Sequence, residues 1–324
     1  MRLCVLSSSY EQSTSELREL DPSGDPSPYL LDNVVDAVTL EKATAAQQIR
    51  DLVLRGYDAF INLCDGAADE DSAGVEVVRE LERWGAAFTG AGSAFYEPTR
   101  AAMKAACLRA GVGTPRFAFA ADADGAARAA EALRFPVIVK HPNSYCSVGM
   151  TRASRVEAPE ALEERVEQMS RAFGGALVEE FIEGREFSVL IAEPPDGEAA
   201  PRAYQPVEIV FPPGETFKHF ELKWIDFDRV GWTPLGDPEL ADRLVDASRR
   251  LFTALDGSGY GRCDLRMDRA GQLFMLEINP NCGIFYPAGA FGSADIILSH
   301  DPAGHRGFLE HLLRCAERRR RAAG

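Results

Sequence analysis

Two short runs in the last third of the chain hold residues suited to one chemistry. Residues 262–268 read RCDLRMD and residues 273–279 read LFMLEIN, with RAGQ between them. Both runs alternate apolar and polar side chains, the period of a strand with two unlike faces. Folded as a hairpin about Ala270 and Gly271, they set Asp264 opposite Glu277 and Arg262 opposite Asn279. A slip of one residue would send every apolar side chain to the wrong side. One face is expected to hold Cys263, Leu265 and Met267 with Phe274, Leu276 and Ile278. The other gathers Arg262, Asp264, Glu277 and Asn279. Two carboxylates and a carboxamide oxygen, with no sulfur or imidazole beside them, suit a hard cation such as magnesium, which takes one or two carboxylates plus substrate phosphates. Arg262 suits a phosphate or a developing oxyanion. An exposed hairpin face whose charges pair with each other has the same pattern.

The elements that must position this face are legible in outline. LCVL near the start and YDAFINLC at 57–64 read as strands, and residues 41–55 and GVEVVRELERWG at 74–85 read as helices, the second ended by Gly85,. AAFTG is expected to add a short strand. Alternating β and α elements favour a parallel sheet, with ligands at the carboxyl ends of its strands. The acidic stretch LCDGAADEDSAG at 63–74 is therefore a candidate substrate loop, and equally an acidic turn before a helix,. YEPTRAAMKAACLRAGVGTP begins a helix that Gly111 and Pro115 end,. A helix near 122–133, the strand FPVIVK, a helix in EALEERVEQMSRAFGG and two strands in ALVEEFIEGREFSVLIAE follow. QPVEIVF reads as a strand, residues 212–234 as a long mixed loop, and PELADRLVDASRRLFTALDG as a helix before the hairpin.

At 324 residues the chain is long enough for two or three domains,. A net charge of −15 argues against a nucleic-acid partner and against an anionic membrane surface,. The basic run Arg318 to Arg321 reads as a frayed helix end whose cations complement the dipole. No apolar run has the length of a signal peptide core or a membrane span. Seven widely spaced cysteines, without a CxxC pair, read as reduced thiols of a cytoplasmic protein,.

Lysine is scarce: only Lys42, Lys104, Lys140, Lys218 and Lys223 occur in a chain that otherwise uses arginine. A compact ammonium serves as a point charge for phosphate, which draws attention to Lys140 and Lys223. Lys140 ends an apolar strand and is followed by a loop with Ser144, Ser147 and Gly149, an arrangement able to hold a nucleotide phosphate, or only a strand-end lysine reaching for water,. The GxxxxGK[ST] pattern is absent. In LVEEFIEG, Glu179 and Glu180 precede a turn and Glu186 follows it, a place where backbone edges could read adenine and Glu186 could accept from ribose hydroxyls.

In order, Lys140 with its Ser/Gly loop, VEEFIEGREF, FELKW, GRCDLRMD and LEINPNCG resemble the ATP-grasp superfamily, and within it the D-alanine–D-alanine ligase-like branch. The resemblance covers roughly residues 56–290. It implies an α/β (α+β) ATP-grasp fold, with an N-terminal Rossmann-like parallel-sheet domain over 1–97 and two ATP-grasp subdomains over 98–182 and 183–324 that clamp the nucleotide. It also implies ATP and two magnesium ions as cofactors, manganese being an alternative, and small-molecule carboxylate and amine substrates; a homodimer is compatible with it. By the same resemblance Lys140 and Lys223 contact phosphates, Ser147 lies in the loop that covers them, and Arg100 or Lys104 adds a further phosphate contact. Ser144 belongs to that loop. Glu179, Glu180 and Ile182 line the adenine site and Glu186 the ribose. Asp264, Glu277 and Asn279 bind metal, while Arg262 and the Gly283 N–H stabilise the oxyanion.

The chain departs from the family pattern on the acceptor side. Cys146-Ser147 stands where the family has paired serines, Tyr145 where it has glycine, and Trp224 where it has tyrosine. Ile284-Phe285-Tyr286-Pro287 replaces a serine-containing stretch, and SSSYEQSTS at 7–15 replaces a Gly- and Glu-containing loop. These departures favour a ligase that forms an amide or peptide bond through an acyl phosphate, from a pair other than two D-alanines, with Phe285 and Tyr286 facing an apolar acceptor. The other readings are a ligase acting on a peptide or protein terminus and a non-catalytic ATP-binding protein.

Overall fold

The structure, a computed structural model, describes residues 1–11, 20, 24–68, 70–143 and 147–323. Strand β1 (Arg2–Ser8) pairs in parallel with β2 (Val34–Leu40) on one side and β3 (Ala59–Asn62) on the other. Helices α1 (Ala45–Val53) and α2 (Val75–Arg83) bury Ile49, Leu52, Val77 and Val78 against one face of this sheet. Sequence periodicity misses β2, an exposed edge strand with no strict alternation,. AAFTG makes only an isolated bridge, Phe60 to Phe88, rather than a strand. Helix α3 (Arg100–Arg109) is capped by Thr99, whose hydroxyl accepts from the Ala102 N–H at 3.1 Å,.

A second, antiparallel sheet is built from β4 (Phe117–Ala120), β5 (Val137–Lys140), β6 (Arg155–Val156) and β7 (Ala176–Glu180), in the spatial order β4-β7-β5-β6. Helices α4 (Ala123–Ala132) and α5 (Leu162–Phe173) close a separate core on it around Val137, Val139, Val166, Met169 and Val178. The third sheet, also antiparallel, contains β8 (Gly184–Ala192), β9 (Arg202–Ala203), β10 (Val207–Val210), β11 (Gly231–Pro234), β12 (Tyr260–Asp268) and β13 (Leu273–Pro280). Its order is β11-β10-β8-β12-β13, with β9 also paired to β8. The stretch expected as a long loop instead folds into α6 (Phe220–Trp224), a turn of 3₁₀ helix over Phe227–Arg229, and β11. His219 caps α6, its Nδ1 accepting from the Leu222 N–H at 3.3 Å.

Helices α7 (Pro238–Ala254), α8 (Ser293–Ser299) and α9 (Gly304–Ala323) complete the chain. The first and third sheets share their cores. Phe187, Val189, Cys263 and Leu265 join the cluster of α2, while Leu190 and Tyr260 join Leu3, Val5 and Ile61 together with Phe308, Leu309 and Leu312 of α9. The basic end of α9 is docked rather than frayed. Arg319 pairs with Glu193, lies over the Phe88 ring at 5.1 Å and donates to the Phe88 carbonyl, and Arg318 reaches Asp196 at 2.5 Å. The six described cysteines are free and buried; Cys146 lies outside the described residues. No helix among the described residues is long and apolar enough to cross a membrane.

Candidate active site

The hairpin takes the register its alternation predicts: Arg262 lies opposite Asn279, Cys263 opposite Ile278 and Asp264 opposite Glu277. A β-bulge follows at once, because Leu265 lies opposite Met275 and leaves Leu276 as the extra residue,. The bulge reverses the expected facing of this stretch. Met275 is buried in the core, and Leu276 turns toward the cleft lined by Glu277. The wet face is tightly organised. Asp264 accepts from Ser188 Oγ at 2.5 Å and from Arg262 Nε and Nη2 at 3.0 and 2.8 Å; Arg262 Nη1 donates to Ser293 Oγ at 2.8 Å. Glu277 is paired with Arg100 and accepts from Asn279 Nδ2 at 3.2 Å. Burial works against ionisation of both acids, but the neighbouring cations outweigh it: Arg262 with Lys218 holds Asp264, and Arg100 with Lys140 holds Glu277, below the usual carboxylate range,.

This donor set fits magnesium. It offers two ionised carboxylates and one carboxamide on adjacent strands, all able to present hard oxygen donors,.

Asp264 and Glu277 line a cleft of about 80 Å³ between the second and third sheets, together with Lys140, Lys218, Ser147 and Glu186. Ile138, Phe181 and Phe217 form an apolar cluster at the same cleft, suited to the flat face of a base. Two of its carboxylates each lie between two cations. Glu179 lies between Lys104 and Lys140, the latter at 2.6 Å; Glu186 is 3.4 Å from Arg266 and 3.6 Å from Lys218. Lys140, Lys218 and Arg266 are the cations of the cleft's described lining, the two lysines presenting compact ammoniums suited to phosphate, while Arg100 on Glu277 and Arg262 on Asp264 offset the charge of its acids from behind,.

Further along the same hairpin face, Arg262 and Asn279 line a larger chamber of about 380 Å³ with Lys223, Gly283 and Tyr286. Asp65, Gly66 and Ala67 of the acidic loop reach it too. A Cβ on Gly283 would run into the Tyr286 hydroxyl, so the strand end closes directly against its own loop. That loop is clamped by buried Asp295. Its Oδ1 accepts from the Phe285 N–H at 2.7 Å and pairs with His305 Nε2 at 2.9 Å, and its Oδ2 accepts from the Gly292 N–H at 3.2 Å. The clamp holds Phe285 at φ +63°, buried in the core rather than facing a substrate as expected,. Asp295→Ala should raise the KM for the chamber's substrate about ten-fold while leaving the KM for ATP unchanged. Steady-state kinetics with each substrate varied would show this, and an equal rise in both constants would reduce Asp295 to a fold-stabilising role.

The expected site residues are thus distributed unevenly. Arg262, Asp264, Glu277 and Asn279 share one face. Lys140, Ser147, Glu179, Glu180, Ile182 and Glu186 line the smaller cleft, and Lys223 and Gly283 the chamber. Ser147 Oγ donates to the Lys218 carbonyl at 3.1 Å. Lys104 is not at a phosphate-facing surface: its buried ammonium is held by Glu179 and by Thr114 Oγ1 at 2.8 Å. The carboxylates of Glu180 and Glu186 are engaged by Arg134 and by Arg266 and Lys218, and Glu179 carries the two lysines rather than an open edge for adenine. Ser144 lies outside the described residues. Lys218 and Arg266 were missed, although Arg266 has the same strand parity as Arg262 and Asp264 and Lys218 is one of the few lysines.

The family model described as D-ala D-ala ligase C-terminus matches residues 112–287. A D-alanine--D-alanine ligase of Desulforudis audaxviator is 32% identical over 273 residues, 81% of this chain and 81% of that one. One of Xylella fastidiosa is 31% identical over 257 residues, 77% of this chain and 79% of its own length. In structure, the chain superposes on the D-alanine--D-alanine ligase of Bacillus anthracis complexed with ATP with a TM-score of 0.72 at 19% identity, covering 100% of this chain and 99% of that one.

Proposed function

The chain belongs to the D-alanine–D-alanine ligase family of ATP-grasp carboxylate–amine ligases, and from that premise we propose that it activates a small amino-acid carboxylate with ATP and joins it to an amine held in the larger chamber. One observation carries this reading. A single hairpin face presents Asp264 and Glu277 to the phosphate-suited cleft and, one pleat further along each strand, Arg262 and Asn279 to the chamber. A phosphate delivered from one side meets a carboxylate delivered from the other.

In the reaction proposed, a carboxylate oxygen of the donor attacks the γ-phosphorus of ATP, and the bond to ADP breaks. The amine nitrogen then attacks the acyl carbon, the C–O bond to phosphate breaks, and the amine proton departs with phosphate. Lys140 and Lys218 hold the phosphates, and Ile138, Phe181 and Phe217 hold the base. Arg262 and the Gly283 N–H face the oxygen that gains charge as the tetrahedral centre forms. Asp264, Glu277 and Asn279 would hold magnesium, which would supply charge neutralisation at the phosphate oxygens. Asp295 keeps the loop behind Gly283 in place, so that the oxyanion donor does not have to be ordered during the reaction.

The names of the relatives make D-alanine, as donor and acceptor, the first pair to test. The expectation of a different pair, drawn from Trp224 and residues 284–287, finds no support in those names. A cytoplasmic setting, expected from the unpaired thiols, supplies the ATP. The test is ADP release by the full chain with magnesium-ATP, first with D-alanine and then with pooled amino acids, the product being identified by mass. Amino-acid-dependent ADP release with a condensed product is the expected result. ATP binding without release from any pool would overturn the ligase reading in favour of a non-catalytic ATP-binding role or a peptide-terminus substrate.

A further inference from the structure

We infer that the acceptor amine carries an apolar or aromatic body larger than the methyl group of alanine, an inference that rests on the ligase reading above. The chamber's volume of about 380 Å³ is in the range of sites that enclose whole ring-bearing ligands, ~300–1,000 Å³,. Its walls carry Tyr96, Trp224, Phe227, Tyr286 and Phe291. At its edge Ile225 is 64% exposed, a large apolar side chain presented beside the opening rather than packed in the fold,.

Charge points the same way. Among the described residues the cations lining the chamber are Lys223 and Arg262. Arg262 is tied to Asp264 and Ser293 at the reacting end. The remaining charged residues of the lining are acids: Asp65, Glu97 and Asp228. Lys223 is thus the one cation of the described lining away from the reacting end, so the wall offers a second carboxylate a single ammonium,. The donor carboxylate shares this chamber, yet two molecules the size of alanine, each with one methyl group, would still leave part of the five-ring wall against water. A ring-bearing amine would cover it, since one aromatic side chain buries ~150–250 Å².

The experiment separates this inference from the reading beneath it. Hydroxylamine is small enough to take the acyl group from an acyl phosphate whatever the chamber prefers. Donor-dependent hydroxamate formation by the full chain with magnesium-ATP therefore tests the ligase reading and identifies the donor. Phosphate release is then followed with D-alanine, D-phenylalanine and 2-phenylethylamine as acceptors. The expected result is a kcat/KM for the better ring-bearing amine about ten-fold or more above that for D-alanine. The double variant Ile225→Ser, Phe291→Ala should lower that ratio about five-fold or more, and because it is a ratio, general loss of active protein does not mimic the effect. Preference between the two ring-bearing amines then tells whether the acceptor keeps a carboxylate. If hydroxamate forms and D-alanine matches or exceeds both, the inference is overturned. If no donor yields hydroxamate, the ligase reading itself fails and the inference falls with it.

Discussion

Replacing Glu277 with alanine should lower donor-dependent ADP release by about 10³-fold, a loss of ~4 kcal/mol in transition-state stabilisation. Glu277 is where the hairpin, the smaller cleft and the start of α3 meet. It is paired with Arg100, accepts from Asn279 at 3.2 Å and lies opposite Asp264 on the neighbouring strand. Removing its carboxylate takes away one of two anionic oxygen donors for a cation and leaves the buried Arg100 without that partner. Glu277→Gln keeps the volume and the hydrogen-bonding shape but not the charge, so it should fall nearly as far. If Glu277→Gln kept activity within about ten-fold of the parent, the face would be structural and magnesium would have to be bound elsewhere. Circular dichroism and nucleotide binding on the same samples separate lost chemistry from lost fold.

Glu179→Gln should act on stability instead, at a cost of about 3–5 kcal/mol. The carboxylate is 1% exposed and lies between the ammonium groups of Lys104 and Lys140. Burial alone would push its pKa up, but the two lysines overcome this and hold it at about 2, against an ordinary value of 4.5. Burial meanwhile pulls Lys104 down, with Glu179 opposing it. A neutral amide would leave Lys104 buried without its countercharge. The pH dependence follows from the sign of the shift. A folded-state pKa below the unfolded one contributes stability that is fully present above about 4.5 and is lost as pH falls toward about 2,. Urea unfolding from about pH 6 down to about pH 3 should therefore show a steeper acid loss in the parent than in Glu179→Gln. Equal midpoints for the two proteins near neutral pH would show that Glu179 does not hold the two lysines in place.

The sequence carried the hairpin well because period-2 alternation, a Gly turn and one buried face leave a single register open,. It could not show the bulge at Leu276, since an extra residue preserves the string of residue types while changing which way they point,. The functions of Lys104 and Glu179 were blurred for another reason. Their pairing joins α3 to β7, and no local pattern announces an ion pair between elements so distant in sequence. Strand β2 escaped because an exposed edge needs no alternation. Phe285 was read as a substrate contact because residue type alone does not distinguish a ring in a chamber wall, Tyr286, from its neighbour in the core. The buried Asp295 that holds its backbone decides the matter.

The docking of α9 bears on how the chain is made as well as how it stands. Leu3, Val5 and Ile61 of the first sheet are covered by Phe308, Leu309 and Leu312, and Arg319 fastens the helix end at Phe88 and Glu193. A ribosome delivers the sheet early and its cover late. Until then one side of the nascent parallel sheet stays bare, so this amino-terminal unit does not reach its final form by the domain-by-domain order usual in translation. The second sheet, whose core draws only on residues 118–178, has no such wait and is the part of the molecule able to mature while synthesis continues.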